Sequence, residues 1–213
     1  MFYWITISIF FIFFKIYHRL EMIGIRNIPQ RESLVIVANH SCFLDPWYIA
    51  AMLLPRRIRF LVTTKWYYKN KFWNLLFYLY GCIPLNPFDM KPSTIKTVAQ
   101  ALKEGSIVGV FPEGRVSYDG KLQEFNMGAV YIAMKANVPI IPMAICGSFE
   151  ALPRHKLVPK PKKIKIVTGE PIRFTKNRNE NRIPRDLYEI EMQNIKNWIK
   201  DQTDQFRMGR SIH

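Results

Sequence analysis

Short apolar runs bounded by turn residues recur along this chain, and they constrain its fold more than any other feature. The runs span residues 34–38, 58–62, 107–111, 140–145 and 164–167. Each predicts a buried strand, and helical patterns separate several of them. Strands that alternate with helices indicate an α/β fold: a single domain with a largely parallel central sheet flanked by helices. In such sheets the active site usually lies beyond the carboxyl ends of the strands.

Helical periodicity is clearest over residues 94–104, where apolar side chains recur every three or four positions before a glycine suited to a C-cap, Gly105. A second helix is predicted over about 127–136, with Asn137 at a position suited to the left-handed conformation. Residues 176–185 are polar and charged, and an amphipathic C-terminal helix is predicted after them. Its apolar positions are Leu187, Ile190, Ile195 and Trp198.

The N-terminus is the most apolar part of the chain, because only Thr6 and Ser8 are polar before Lys15. As a helix, residues 1–14 would reach about 21 Å, less than the roughly 30 Å hydrocarbon core of a bilayer. A cleaved signal peptide is the alternative, but the run has neither a basic start nor a small-residue cleavage site. We therefore predict a short membrane-anchoring segment over 1–19, an α/β domain over 20–175, and a polar linker with a C-terminal helix over 176–213.

The composition indicates an anionic partner, since 31 Lys and Arg against 16 Asp and Glu give a net charge of +15. Nucleic acid is one candidate and an anionic membrane surface is the other. An aromatic content of 14% and the apolar N-terminus favour the membrane, where each basic side chain contributes about 1 kcal/mol. A hydrophobic content of 49% excludes a disordered chain. The three cysteines have no CxxC spacing, so neither a disulfide framework nor a zinc site is predicted.

A histidine and an aspartate five positions apart, His40 and Asp45, follow the first predicted strand. Because Pro46 comes next, Asp45 is predicted to cap a helix, and in one interpretation that is its whole role. In the other, its carboxylate hydrogen-bonds one ring nitrogen of His40 and leaves the second nitrogen as a general base for a substrate hydroxyl. A covalent route through Cys42, two residues from His40, is a further alternative.

The sequence Phe-Pro-Glu-Gly-Arg ends the predicted strand at 107–111. Gly114 lets a ligand approach the backbone closely, and Arg115 carries a planar fork suited to phosphate. A tight turn with two solvated charges is the alternative for this segment. The apolar block 138–142 is more typical of packing than of chemistry.

An aromatic helix is predicted between these two motifs, ending near residues 81–87. It holds Trp66, Tyr67, Tyr68, Phe72, Trp73, Phe77 and Tyr78, interleaved with Lys65, Lys69 and Lys71. This composition indicates a membrane-interface face or an acyl-chain wall, with a plain core helix as the alternative. Lys65, just before the aromatic residues, is a candidate basic contact for the substrate.

In order and spacing these four blocks resemble the glycerophospholipid acyltransferase family, over about residues 24–171. The resemblance implies that His40 deprotonates the acceptor hydroxyl and that Asp45 orients His40. It also implies that Glu113, Gly114 and Arg115 bind the acceptor's phosphate. The donor would be acyl-CoA or an acidic acyl-carrier protein, with no metal or other cofactor.

The resemblance is to bacterial 1-acylglycerol-3-phosphate acyltransferases, which implies phosphatidic acid as product. If the N-terminal segment spans the membrane, Lys15, Arg19 and Arg26 after it predict that the domain lies at the cytoplasmic face of the inner membrane. Two departures resemble 2-acylglycerophosphoethanolamine acyltransferases instead: Arg115 follows Gly114 directly, and Asn86 and Pro87 stand where an arginine is common, with Lys91 as a substitute charge. Lysophosphatidylethanolamine or another lysophospholipid is therefore the alternative acceptor. The non-enzymatic alternatives are a basic nucleic-acid-binding module and a noncatalytic membrane scaffold; nucleic acid is not expected as a partner.

Overall fold

The computed structural model describes residues 1–86, 92–174 and 185–210, which form seven strands, eight α-helices and one short 3-10 helix (Ile25–Asn27). The strands are β1 (Glu21–Ile23), β2 (Leu34–Ala38), β3 (Ile58–Thr63), β4 (Ile83–Leu85), β5 (Ile107–Val110), β6 (Ile140–Cys146) and β7 (Lys165–Thr168). The helices are α1 (Phe2–Tyr17), α2 (Asp45–Met52), α3 (Thr64–Tyr67), α4 (Lys71–Tyr80), α5 (Pro92–Lys103), α6 (Gly128–Ala136), α7 (Ser148–Ala151) and α8 (Arg185–Arg210).

All seven strands form one sheet in the order β1-β7-β6-β2-β5-β3-β4. Neighbouring strands are parallel except for β6 and β7, which are antiparallel. The predicted single α/β domain with a largely parallel sheet is confirmed. The two end strands of this order, β1 and β4, were not predicted. Each has three residues, and β4 contains Pro84, a residue that sheets tolerate mainly at their edges.

The central strand β2 is buried on both faces of the sheet, so its side chains alternate between two layers of core. Leu34, Ile36 and Ala38 pack in the layer that contains α1 and α2. Val35 and Val37 pack in the layer that contains α5, α6 and α8. The carboxyl ends of β2, β5 and β3 consequently meet at one edge, sandwiched between helices.

The N-terminal helix α1 packs on the domain along one face. Tyr3, Ile7 and Phe14 are buried in the core, and the indole nitrogen Nε1 of Trp4 donates to the carbonyl of Pro55 at 2.9 Å. The opposite face exposes large apolar side chains: Phe2, Ile5, Ile9, Ile12, Phe13 and Ile16. Among the described residues, no helix combines the length and the apolar character needed to cross a bilayer.

The aromatic segment forms two helices, α3 and α4, rather than the single predicted helix. Asn70 separates them, because its side-chain oxygen accepts a hydrogen bond from the backbone N–H of Trp73 at 3.0 Å and starts α4. The predicted left-handed caps are confirmed at Gly105, with φ of 84°, and at Asn137, with φ of 53°.

The C-terminal helix α8 is amphipathic as predicted, and its predicted buried face is correct in part. Ile195 is buried and Trp198 packs partly buried against the core as predicted, together with Met192 and Ile199, whereas Leu187 and Ile190 are exposed. The helix therefore covers the side of the sheet opposite to α1. Of the predicted polar segment 176–185, residues 176–184 lie outside the described residues, and Arg185 begins α8.

Candidate active site

His40 lies at the carboxyl end of β2, and its side chain pairs with Asp45. The distance from His40 Nδ1 to Asp45 Oδ2 is 3.0 Å, and the Asp45 side chain is completely buried. The same carboxylate oxygen accepts the backbone N–H groups of Ser41 at 2.8 Å and Cys42 at 2.7 Å. Asp45 is thus the first residue of α2 rather than its N-cap, which is Leu44. Its side chain points back at the loop instead of forward along the helix.

The Asp45 carboxylate accepts hydrogen bonds, so we assign the proton on the His40 ring to Nδ1. That tautomer leaves Nε2 with a lone pair, and no described residue hydrogen-bonds to Nε2. The imidazole also stacks on Phe111, with ring centroids 4.1 Å apart, and Phe111 stacks on Phe60. These contacts hold the ring in one orientation, which is what a general base requires.

The main chain of His40 is held by the loop that follows β5. Its N–H donates to Glu113 Oε1 at 2.7 Å, and its carbonyl accepts the N–H of Ser117 at 2.8 Å. The other oxygen of Glu113 accepts the N–H of Gln123 at 3.1 Å. Burial raises the pKa of Glu113 to about 7, although both of these hydrogen bonds favour the ionised form. Glu113 therefore joins two loops through their backbones.

The remaining predicted binding residues lie at the same edge of the sheet. Gly114 has a left-handed φ of 67°, and a Cβ added there would meet no heavy atom within 4 Å, so there is room for a ligand. Arg115 is exposed and donates only a long hydrogen bond, 3.4 Å, to the Gln123 side chain among the described residues. Lys65 is exposed on α3, directly after β3, and forms no hydrogen bond or ion pair with the other predicted site residues in the described chain. Pro87 and Lys91 lie outside the described residues.

Cys42 is an unsuitable nucleophile in this structure. Its side chain is buried, and burial together with the nearby Asp45 carboxylate raises its pKa well above the ordinary range. The thiolate is therefore suppressed, and the thiol sulfur instead accepts the N–H of Leu44 at 3.3 Å. The described residues also contain no cluster of three or more potential metal ligands.

Asn39 is a positioning residue that the sequence analysis missed. Its buried side chain accepts the N–H of Ile145 at 2.8 Å and donates to the carbonyl of the same residue at 3.0 Å. This pair of bonds ties the His40 loop to β6, just as Glu113 and Ser117 tie it to the loop after β5. An amide directly before the histidine was the available signal, but its partner lies 106 residues away.

Comparisons with known proteins identify the family of this chain. A family model described as Acyltransferase matches residues 19–146. A 1-acyl-sn-glycerol-3-phosphate acyltransferase of Bacillus subtilis is 33% identical over 147 residues, which cover 68% of this chain and 70% of the relative. A chloroplastic protein of the same name from Brassica napus is 29% identical over 154 residues, and there the match spans only 42% of the relative's length.

The fold is also that of a solved structure. The crystal structure of the 1-acyl-sn-glycerophosphate acyltransferase PlsC from Thermotoga maritima superposes with a TM-score of 0.67. The superposition covers 86% of this chain and 71% of that protein, at 23% sequence identity. At that identity the likeness concerns the architecture of the chain alone.

Proposed function

The chain belongs to the acyltransferase family, and from that membership we propose that it esterifies the free hydroxyl of 1-acylglycerol-3-phosphate to give phosphatidic acid. The observation that carries the proposal is the His40–Asp45 pair, a buried carboxylate 3.0 Å from the ring of a partly exposed histidine. The names of the relatives support this acceptor. We further propose acyl-CoA or acyl-carrier protein as the donor.

The pair supplies general-base chemistry. Nε2 of His40 takes the proton of the acceptor hydroxyl while its oxygen forms a bond to the thioester carbonyl carbon. The tetrahedral intermediate then breaks its C–S bond, and the departing thiolate takes a proton from the imidazolium. Asp45 stabilises that imidazolium between the two steps and keeps the ring aligned. The transfer leaves an ester and a thiol, so it needs no oxidant or reductant.

Positive charge for the acceptor's phosphate would come from Arg115, with Lys65 as a second contact. Both side chains are exposed at the sheet edge that carries His40, and Gly114 leaves open space beside Arg115. Glu113 suits a different role, because its carboxylate would repel a phosphate and already accepts two backbone N–H groups. We therefore assign Glu113 to positioning of the His40 loop.

The outer face of α1 would contact an anionic membrane surface. Its exposed apolar side chains lie beside α4, since the hydroxyl of Tyr80 donates to Thr6 of α1 at 3.0 Å. Helices α3 and α4 add further exposed apolar residues, Trp66, Phe72, Leu75 and Tyr78. A helix that buries one apolar face in protein and exposes the other is suited to lying in the interface rather than spanning it.

Acceptor preference tests the proposed reaction. We expect kcat/KM for 1-acylglycerol-3-phosphate to exceed that for lysophosphatidylethanolamine by roughly tenfold or more, because a phosphate monoester presents more charge to Arg115 than a phosphodiester does. Both acceptors would be measured with acyl-CoA and with acyl-carrier-protein donors. A tenfold preference for lysophosphatidylethanolamine, about 1.4 kcal/mol, would replace the proposed acceptor but leave the His40 mechanism in place. Arg115 follows Gly114 with no residue between them, and this departure from the common pattern favours lysophosphatidylethanolamine.

Replacing Arg115 with alanine is expected to raise KM for 1-acylglycerol-3-phosphate roughly tenfold while leaving KM for the donor almost unchanged. Arg115→Lys should recover part of the loss, because it keeps the charge but not the planar fork. Lys121→Ala, which removes another exposed cation from the following loop, serves as the matched control. Equal weakening toward donor and acceptor would contradict the assignment of Arg115 to the acceptor.

A further inference from the structure

The segment 153–163, between α7 and β7, carries two strongly exposed apolar side chains. Leu157 is 96% exposed, the highest value for any large hydrophobic residue in the described chain, and its neighbour Val158 is 76% exposed. The backbone N–H of Lys160 donates to the carbonyl of Ala151 at 2.7 Å and closes the segment at its base. The two apolar side chains therefore stand on a projecting tip.

Basic residues surround that tip. The segment contains five of them, Arg154, Lys156, Lys160, Lys162 and Lys163, and no acidic residue. All five side chains belong to exposed residues, and Lys163 forms an ion pair with Glu21 at 2.6 Å. An exposed apolar pair ringed by positive charge is complementary to an anionic lipid surface, which offers both negative headgroups and hydrocarbon.

One side of the tip is fastened to α1. The hydroxyl of Tyr17 donates to the carbonyl of Pro159 at 2.9 Å, and the N–H of Ile164 donates to the carbonyl of His18 at 3.0 Å. The segment consequently lies beside the C-terminal end of α1, where Ile16 is 76% exposed. The tip is therefore attached to the end of the helix whose outer face exposes large apolar side chains.

The other side of the tip is fastened to the loop of the active site. The guanidinium of Arg154 donates to the carbonyl of Val116 at 3.2 Å and lies 3.9 Å from the ring centroid of Tyr118. Val116 stands between Arg115 and Ser117, and the N–H of Ser117 holds the carbonyl of His40. The segment thus bridges α1 and the loop that would bind the acceptor.

We propose that residues 153–163 are a second membrane-contacting element, in which Leu157 and Val158 enter the headgroup region and the surrounding lysines bind anionic headgroups. The inference rests on the proposed membrane association of α1. An acidic protein would match the charge alone, whereas a bilayer also matches the exposed apolar pair and its attachment to the end of α1. Binding of residues 153–163 to the membrane would bring the loop that carries Arg115 close to the bilayer from which a lysolipid arrives.

Vesicle binding by the full chain tests the proposal. Leu157→Asp combined with Val158→Asp should weaken binding to phosphatidylglycerol-containing vesicles by at least about fivefold, since two apolar contacts become anionic. Lys156→Gln combined with Lys160→Gln should weaken the same binding and leave binding to purely zwitterionic vesicles unchanged. Ile190→Asp is the matched control, because Ile190 is exposed on α8 at the opposite face of the sheet and should have no effect.

Further measurements separate this proposal from the one on which it rests. Ile12→Asp alters only the outer face of α1, so weaker binding by Ile12→Asp with unchanged binding by the Leu157 and Val158 variant would overturn the second element alone. Absence of vesicle binding by the unaltered protein would overturn both. Loss of carrier-protein binding with unchanged vesicle binding would assign the tip to a protein partner and overturn the lipid assignment. With a short-chain acceptor below its micelle concentration, the Leu157 and Val158 variant should keep the kcat of the unaltered protein. A kcat reduced there as strongly as vesicle binding would also overturn the second element.

Discussion

Replacing His40 with alanine is expected to lower kcat for acyl transfer by about 10²- to 10⁴-fold, the usual contribution of a positioned general base. The hydroxyl of a lysolipid is a poor nucleophile near neutral pH, so it needs a base. Nε2 of His40 is available to take the hydroxyl proton, because no described residue hydrogen-bonds to it. KM for either substrate should change little, because the imidazole acts on the reacting hydroxyl rather than on the phosphate or the acyl chain. Steady-state kinetics with 1-acylglycerol-3-phosphate measure kcat and the KM of each substrate.

Cys42→Ala is the matched control for this experiment, because it alters the same loop and removes a buried side chain two residues away. It should retain most activity, since its thiol is held protonated by burial and by the Asp45 carboxylate. Asp45→Asn should be severely impaired, because its amide oxygen can take the place of Oδ2 among the N–H donors of His40, Ser41 and Cys42 but carries no charge to stabilise the imidazolium. Substantial activity in a folded His40→Ala protein would remove the general-base mechanism.

The strands that are buried on both faces of the sheet could be predicted from the sequence. Strands β2, β5 and β6 are covered on both faces, so their apolar runs stand out, and predicted and observed bounds agree within a residue. The end strands β1 and β4 lack such runs, and only pairing with a neighbour defines them. The packing of α1 was equally hidden, because an all-apolar helix gives no periodicity to show which face meets the domain.

In the site, contacts within one loop could be anticipated from the sequence, whereas contacts between distant segments could not. His40 and Asp45 share one loop, so their spacing suggested the pair as one of two interpretations, and the family resemblance favoured it. Glu113 lies 73 residues from His40, and nothing in the sequence showed that its carboxylate accepts the His40 N–H. The FPEG block was therefore assigned to phosphate as a unit. In the structure Glu113 accepts the backbone N–H groups of His40 and Gln123, whereas Arg115 is exposed and donates only to the Gln123 side chain among the described residues.

Glu113 provides the second large effect, because its replacement by alanine removes the acceptor for the His40 N–H. An unsatisfied buried N–H costs about 1–3 kcal/mol, so kcat should fall roughly 10- to 100-fold if that cost is expressed as displacement of the loop. KM for the acceptor should not rise, since removing a carboxylate near a phosphate removes repulsion. Glu113→Gln should recover part of kcat, because its amide oxygen can still accept from His40. A rise in the acceptor KM with kcat unchanged would instead place Glu113 in phosphate binding.

The pH dependence of stability gives an independent measure of the same carboxylate. Burial raises its pKa from the ordinary 4.5 to about 7 in the folded protein, so between those values the folded state binds the proton that the unfolded state has lost. The free energy of unfolding contributed by Glu113 therefore falls as pH rises through this window, with a slope of at most about 1.4 kcal/mol per pH unit, and its cost is complete above about pH 7. Glu113→Gln does not titrate, so its stability relative to the unaltered protein should improve from about pH 5 to about pH 7 and then level off. Urea denaturation of both proteins across that range measures the difference, and a difference independent of pH would mean that Glu113 is solvated and does not hold the His40 loop from a buried position.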